Sequence, residues 1–290
     1  MLTVLQRTPL LILAVAGNLM LSSSCDFAWS KPTPTPTAPP TSTPLPPTPI
    51  PTPVPTPLPT PRPELLPGIS IVVGGVVRTR ADPSTTRPPV GVLQDGEQVQ
   101  VVARVQGENW LVGRQTWVAS VPVWASEWLQ LEDGTYVYGA FVFTLLPEET
   151  TPLLDLAGEE KWIDVNLTEQ TVRAMVGDRA MHLAPATTGA SGFETPRGTH
   201  YIEPDGRIAV ERMTASQAGY EPSQARYDVE RVLFTQYFDQ KGDSLHLNYW
   251  RPESAFGSTP TSHGCVGLLL HDAQYFWLFA EPGMRVEIHD

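Results

Sequence analysis

The chain has 290 residues and a formal net charge of −12. An acidic surface gains nothing from meeting a polyanion, so nucleic acid and a bare anionic membrane surface are excluded as electrostatic partners. Two cysteines exclude a disulfide-rich scaffold.

Residues 1–25 read as an export signal, with Arg7 in the positive region and an apolar run from Leu10 to Leu21 that is too short to span a bilayer. Ser22, Ser23 and Ser24 lead into Cys25. That order matches a lipoprotein cleavage site, in which the Cys25 thiol is lipidated and the partner is a membrane. Cleavage within the serines instead would release a soluble protein. Residues 26–67 are a Thr/Pro repeat, from Pro32-Thr33-Pro34 to Thr60-Pro61. Proline fixes φ and removes donors, so this stretch is expected to be a disordered spacer in extended polyproline II. At about 3.1 Å per residue it would reach roughly 100 Å. If Cys25 carries lipid, Cys265 is the sole thiol of an exported chain. That is an oxidation liability which asks for a purpose.

The expected fold is mainly β, in two domains. Residues 68–145 carry short β-prone runs at Ile69–Val73, Val90–Leu93, Gln98–Val105 and Tyr136–Val142. Asp95-Gly96 and Asp133-Gly134 supply turn signals between them. These features predict a small β-barrel. The pattern Arg78-Thr79-Arg80-Ala81-Asp82-Pro83-Ser84, with Trp128 to Val137 further on, resembles bacterial SH3-like wall modules, with an extra loop around Trp110–Trp124.

Residues 160–290 predict a second β domain. A hairpin is expected from Trp162–Leu167 and Thr171–Val176, with later strands at His182–Ala186, Arg231–Phe238, Ser244–Trp250 and Arg285–His289. One helix is expected, from Asp272 to Ala280, closed by Pro282-Gly283.

Chemistry concentrates in Ser262-His263-Gly264-Cys265-Val266-Gly267. A cysteine nucleophile needs an imidazole or a comparable positive field to lower its pKa. His263 shares a face with Cys265 if the segment is extended. His246, nineteen positions earlier on a predicted strand, is the second histidine and the candidate base. Gly264 permits a close backbone approach, and neighbouring N–H groups can hold an oxyanion. His182, His200 and His289 read as structural or surface positions without partners.

A histidine, about fifteen residues, and then Ser262-His263-Gly264-Cys265 resembles the L,D-transpeptidase catalytic domain, the YkuD domain. Thr187-Thr188-Gly189, Thr195-Pro196-Arg197-Gly198-Thr199 and His271-Asp272-Ala273 resemble further motifs of that family. The resemblance implies a β-sandwich with a short helix after the cysteine, and peptidoglycan stem peptides as partners: a donor tetrapeptide and an acceptor amine. It implies a thioester on Cys265, His246 as base, His263 in support, and a 3→3 cross-link. Gly264 and Cys265 N–H groups would hold the oxyanion, Ser262 and Tyr249 would contact substrate, and no metal or organic cofactor is required. An L,D-carboxypeptidase differs only in resolving the thioester with water, and a degenerate member would bind the wall without reacting.

Two positions depart from the pattern. Gly267 stands where the family commonly has Arg or Asn, and Leu247-Asn248 stands where it commonly has Gly-Thr or Gly-Ser. Zinc is a competing reading, with His246, His263, Cys265 and His271 as ligand types, although His-x-Cys is not a common zinc spacing. NlpC/P60 peptidases place cysteine before histidine, and sortases need an arginine soon after the cysteine. The nearest downstream arginine here is Arg285.

Overall fold

The structure is a computed structural model that describes residues 68–112, 115, 117–118, 121–217, 221, 223 and 227–290. The expected export signal, the Thr/Pro spacer and Cys25 lie outside the described residues.

The first segment holds eight short strands: β1 (Ile69–Val72), β2 (Val77–Thr79), β3 (Gly91–Leu93), β4 (Gln98–Val99), β5 (Val101–Gln106), β6 (Glu127–Leu131), β7 (Tyr136–Tyr138) and β8 (Val142–Leu145). They pair as three small sheets, β4-β1-β8, β2-β3 and β5-β6-β7. Val72, Val77, Val101, Leu129, Leu131, Val137 and Val142 form a local core between them. Two expected strands are broken. The run from Gln98 divides at Gln100, and the run from Tyr136 turns through a 3-10 helix at Gly139–Phe141. A Cβ at Gly139 would lie 2.9 Å from the Glu127 carbonyl oxygen, so glycine is what lets the chain turn there.

The second segment holds β9 (Lys161–Asn166), β10 (Thr171–Val176), β11 (Arg179–Thr187), β12 (Gly198–Tyr201), β13 (Arg207–Thr214), β14 (Asp228–Tyr237), β15 (Ser244–Leu247), β16 (Val266–Leu268) and β17 (Arg285–His289). They form one nine-stranded sheet in the order β12-β17-β9-β10-β11-β16-β15-β14-β13. The β9–β10 hairpin is the expected one. Along β10, Val172, Ala174 and Val176 are buried while Thr171, Arg173 and Met175 are part-exposed, the period of two that a half-buried strand requires. β12, β13 and β16 were not among the expected strands. β13 is an edge strand carrying Arg207, Glu211 and Arg212, and charge on an edge deters pairing with another chain while blurring the strand signal.

Among the described residues the one α-helix, α1 (Leu270–Phe279), begins two residues before the expected start, and every residue from Asp272 to Phe279 is buried. A helix buried all round needs cover on every side. Phe276 joins the core of the nine-stranded sheet. On the other side, Gln274 Nε2 donates to the carbonyls of Ala140 (2.8 Å) and Val142 (3.1 Å), and Trp277 Nε1 donates to Asp95 Oδ1 (3.0 Å). Trp128, Tyr138 and Phe143 of the first segment belong to the same apolar cluster as Val165, Leu245 and Phe276 of the second. A single core therefore runs through both segments. Among the described residues no helix is long and apolar enough to cross a membrane.

Candidate active site

β15 and β16 are parallel neighbours, with Leu245 opposite Val266 and His246 opposite Gly267. Side chains alternate along a strand. Cys265, one residue before β16, therefore falls on the face shared by Ser244 and His246. Ser244 Oγ lies 3.6 Å from Cys265 Sγ, and the Gly242 carbonyl also faces the thiol at 3.8 Å.

His246 is 3% exposed. Its Nδ1 lies 2.8 Å from the Leu247 carbonyl oxygen. A carbonyl only accepts, so Nδ1 carries the proton and the lone pair is on Nε2. Trp250 stacks on the imidazole, with centroids 5.5 Å apart and planes 15° apart. The tautomer and the plane of the ring are thereby both fixed.

Burial, then the nearby Asp243 carboxylate, pushes the Cys265 thiol up to about 11. Burial pulls His246 down to about 4. The sequence led us to expect an imidazole that lowers the thiol pKa. The resting site is instead a neutral thiol beside a neutral imidazole, because desolvation of both groups outweighs any attraction between their charged forms. A nucleophilic role for this sulfur would require its proton to leave during the attack.

These shifts make stability depend on pH, with opposite signs. The depressed His246 pKa contributes stability that is complete above about pH 6.5 and lost as pH falls towards 4. The raised thiol pKa contributes stability that is complete below about pH 9 and lost as pH rises towards 11. For His246 the full effect is about 3 kcal/mol at 1.36 kcal/mol per unit. Urea unfolding of the full chain between pH 7 and 4 should show this decline, and the His246→Gln variant should lack that part of it. An equal slope in the variant would contradict the buried neutral histidine.

The loop that carries Cys265 is not extended. It bends at His263 and Gly264, where Gly264 has φ +124°. Ser262 Oγ donates to the Cys265 carbonyl (2.5 Å) and accepts from the Gly264 N–H (3.2 Å). Thr195, 1% exposed, donates through Oγ1 to the Gly264 carbonyl (2.7 Å) and accepts from the Gly189 N–H (2.9 Å). The Thr-Pro-x-Gly turn is thus a buttress under the cysteine loop. A Cβ at Gly264 would overlap the Asp243 carboxylate, so the space that glycine opens is taken by Asp243. His263 sits at the rim, its ring 4.6 Å from Phe193 and 4.9 Å from Tyr227. Burial, then Arg251, lowers its pKa.

Tyr249 lies apart from the thiol. It is buried, its hydroxyl accepts from Gln115 Nε2 and donates to the Glu230 carbonyl, both at 2.7 Å. Alternation turns it away from His246 and Trp250, and its hydroxyl ties the Trp110–Trp124 loop to β14. The three histidines read as partnerless each have one: His182 pairs with Asp272 (2.8 Å), His289 with Asp164 (2.8 Å), and His200 with the Pro196 carbonyl (3.1 Å). His271, offered as a fourth zinc ligand, is held by Glu149 at 2.6 Å and stacks on Phe143. Among the described residues no group of three or more His, Cys, Asp or Glu is placed to hold a metal ion.

Two grooves meet at the thiol. One, of about 630 Å³, is lined by Trp117, Tyr227, His246, Asn248, Trp250 and Cys265 among others. The second, of about 550 Å³, includes Phe193, Glu194, Lys241, Asp243 and Cys265. His263 lines both. Ser244, Asp243, Asn248 and Trp117 were not anticipated as site residues. Ser244 and Asn248 were within reach of the period-two rule, each being two positions from His246. The others depend on contacts between segments distant in sequence.

A thiol and a tautomer-fixed imidazole on one strand face, between two grooves, suit cysteine-dependent acyl transfer. Residues 160–288 match the YkuD family model, described as the L,D-transpeptidase catalytic domain. Solved structures similar to the chain include an L,D-transpeptidase from Mycobacterium smegmatis, at 19% identity over 57% of this chain and 66% of that one, TM-score 0.42. L,D-transpeptidase 3 from Mycobacterium tuberculosis matches at 16% identity over 57% and 68%, TM-score 0.41. The catalytic domain of an E. faecium L,D-transpeptidase matches at 21% identity over 46% and 100%, TM-score 0.38. No curated protein matches the chain.

Proposed function

We propose that the chain is an exported peptidoglycan L,D-transpeptidase that forms 3→3 cross-links through a thioester on Cys265. The observation that carries this reading is the shared strand face of Cys265 and His246, with the His246 lone pair on Nε2. His246 Nε2 takes the thiol proton as Sγ attacks the carbonyl of the third stem residue. The C–N bond to the terminal D-Ala breaks, and the imidazolium returns its proton to the departing amine. The side-chain amine of a second stem then attacks the thioester, loses its proton to His246 and releases the thiol.

The Gly264 N–H is engaged by Ser262 Oγ, which makes the Cys265 N–H the oxyanion donor of this loop in the proposal. Asp243 and Glu194 place carboxyl groups in the second groove, beside Lys241, and this wall suits an incoming ammonium. The reaction as written needs no metal or organic cofactor. His263 supports the substrate at the rim.

The work of such an enzyme is extracytoplasmic. The export signal, a lipid on Cys25 and the Thr/Pro spacer form a tether from membrane to wall in this reading, supported by their sequence. The segment 68–145 is proposed as an SH3-like module whose Trp110–Trp124 loop braces the catalytic groove.

The test is incubation of the full chain, and of Cys265→Ala, with disaccharide-tetrapeptide, followed by mass analysis of the products. Cross-linked dimer that disappears in the variant is the expected result. Released tripeptide alone would make the enzyme a carboxypeptidase, and no Cys265-dependent product from a folded, reduced chain would contradict catalysis.

A further inference from the structure

The β15 ladder continues one residue past Leu247, the Asn248 N–H donating to the Leu268 carbonyl at 2.9 Å. Alternation then sends the Asn248 side chain to the face of His246 and Trp250, and all three line the larger groove with Cys265. Asn248 is 3% exposed, and its Oδ1 is buried with no hydrogen-bond partner. A buried polar atom left unpaired costs about 1–3 kcal/mol. An apolar side chain of similar size would avoid that cost if the position only filled space.

The neighbouring strand is shaped around this amide. A Cβ at Gly267 would lie 2.8 Å from Asn248 Nδ2 and 2.9 Å from Asn248 Cβ. Gly267 has negative φ, so its backbone does not demand glycine. What demands glycine is the amide lying over it. The chain thus leaves position 267 without a side chain and holds an amide with an unpaired oxygen there, beside His246 and the thiol.

We propose that the Asn248 side-chain amide is a substrate-binding group that hydrogen-bonds a backbone amide of the donor stem peptide. An amide both donates and accepts, which matches the paired N–H and C=O of a peptide backbone. The inference rests on the transpeptidase reading above.

The test uses the full chain. Affinity for disaccharide-tetrapeptide is measured on Cys265→Ala, with and without Asn248→Ala or Asn248→Leu, and turnover is measured with Cys265 intact. Melting temperature checks that each variant is folded. Loss of one to two hydrogen bonds predicts a Kd and KM raised about tenfold or more in both Asn248 variants, with the rate of Cys265 alkylation by iodoacetamide within about twofold of the parent. Asn248→Ala opens the space over Gly267, so Asn248→Ala with Gly267→Asn returns an amide to the groove and should recover part of the affinity.

Asn248→Leu binding donor as tightly as the parent, while the parent turns over, would overturn the inference and leave the transpeptidase reading standing. Absence of Cys265-dependent turnover in the parent would remove that reading, and the inference with it.

Discussion

His246→Gln is expected to slow thioester formation about 10²–10⁴-fold, the usual worth of a general base. The thiol rests protonated, with its pKa pushed up to about 11, so the nucleophile at neutral pH must be made during the attack. His246 suits that task because its proton is fixed on Nδ1 by the Leu247 carbonyl. Alkylation of Cys265 by iodoacetamide, which needs no base, should rise about tenfold per pH unit between pH 7 and 10 as thiolate appears. That profile should persist in His246→Gln, since burial and Asp243 set the thiol pKa. Lost turnover with an unchanged alkylation profile identifies a base. Turnover retained in the variant would remove His246 from the mechanism.

Gly264→Ala is the second large effect. Its φ of +124° is a conformation that side chains rarely adopt, which adds about 1–2 kcal/mol. The new Cβ also overlaps the Asp243 carboxylate, and overpacking of this kind costs about 1–3 kcal/mol. The relief available is a shift of the Cys265 loop, and a displacement of about 1 Å at a reacting atom costs about 10²-fold in rate. The variant should unfold at lower urea and lose donor turnover together. Paired Gly264→Ala and Asp243→Ala changes should recover some stability, since the overlap is gone while the backbone penalty remains. No stability loss in Gly264→Ala would contradict the close approach of Asp243.

Much of this was legible in the sequence because it is local. The β9–β10 hairpin announces itself by period two, β17 by Arg285–His289, and α1 by the apolar stretch before Pro282-Gly283. The Ser-His-Gly-Cys loop and a histidine upstream on a strand pointed to the candidate site, and the parallel pairing of β15 with β16 puts Cys265 and His246 on one face. What stayed hidden is what distance in sequence conceals. Nothing local says that Asp243 fills the space beside Gly264, or that Thr195 holds the Gly264 carbonyl. The departures at Gly267 and at Leu247-Asn248 looked separate, one a lost polar group and the other crowding by Leu247. In the fold they are one adjustment, since the amide of one occupies the Cβ space of the other. Tyr249 shows the converse. A tyrosine three residues past a candidate base is plausible in a substrate pocket, yet alternation turns it towards Gln115 and Glu230. The pKa of the thiol was also out of reach, because it follows from burial and not from residue type.

The central claim is that Cys265 carries the acyl group. The most direct measurement is intact-protein mass spectrometry of the full chain, quenched in acid soon after mixing with disaccharide-tetrapeptide, followed by digestion to locate the adduct. The account predicts a mass gain equal to the donor less D-Ala, held on the peptide containing Cys265 and absent from Cys265→Ala. An adduct on any other residue, or D-Ala release by Cys265→Ala at the parent rate, would contradict it.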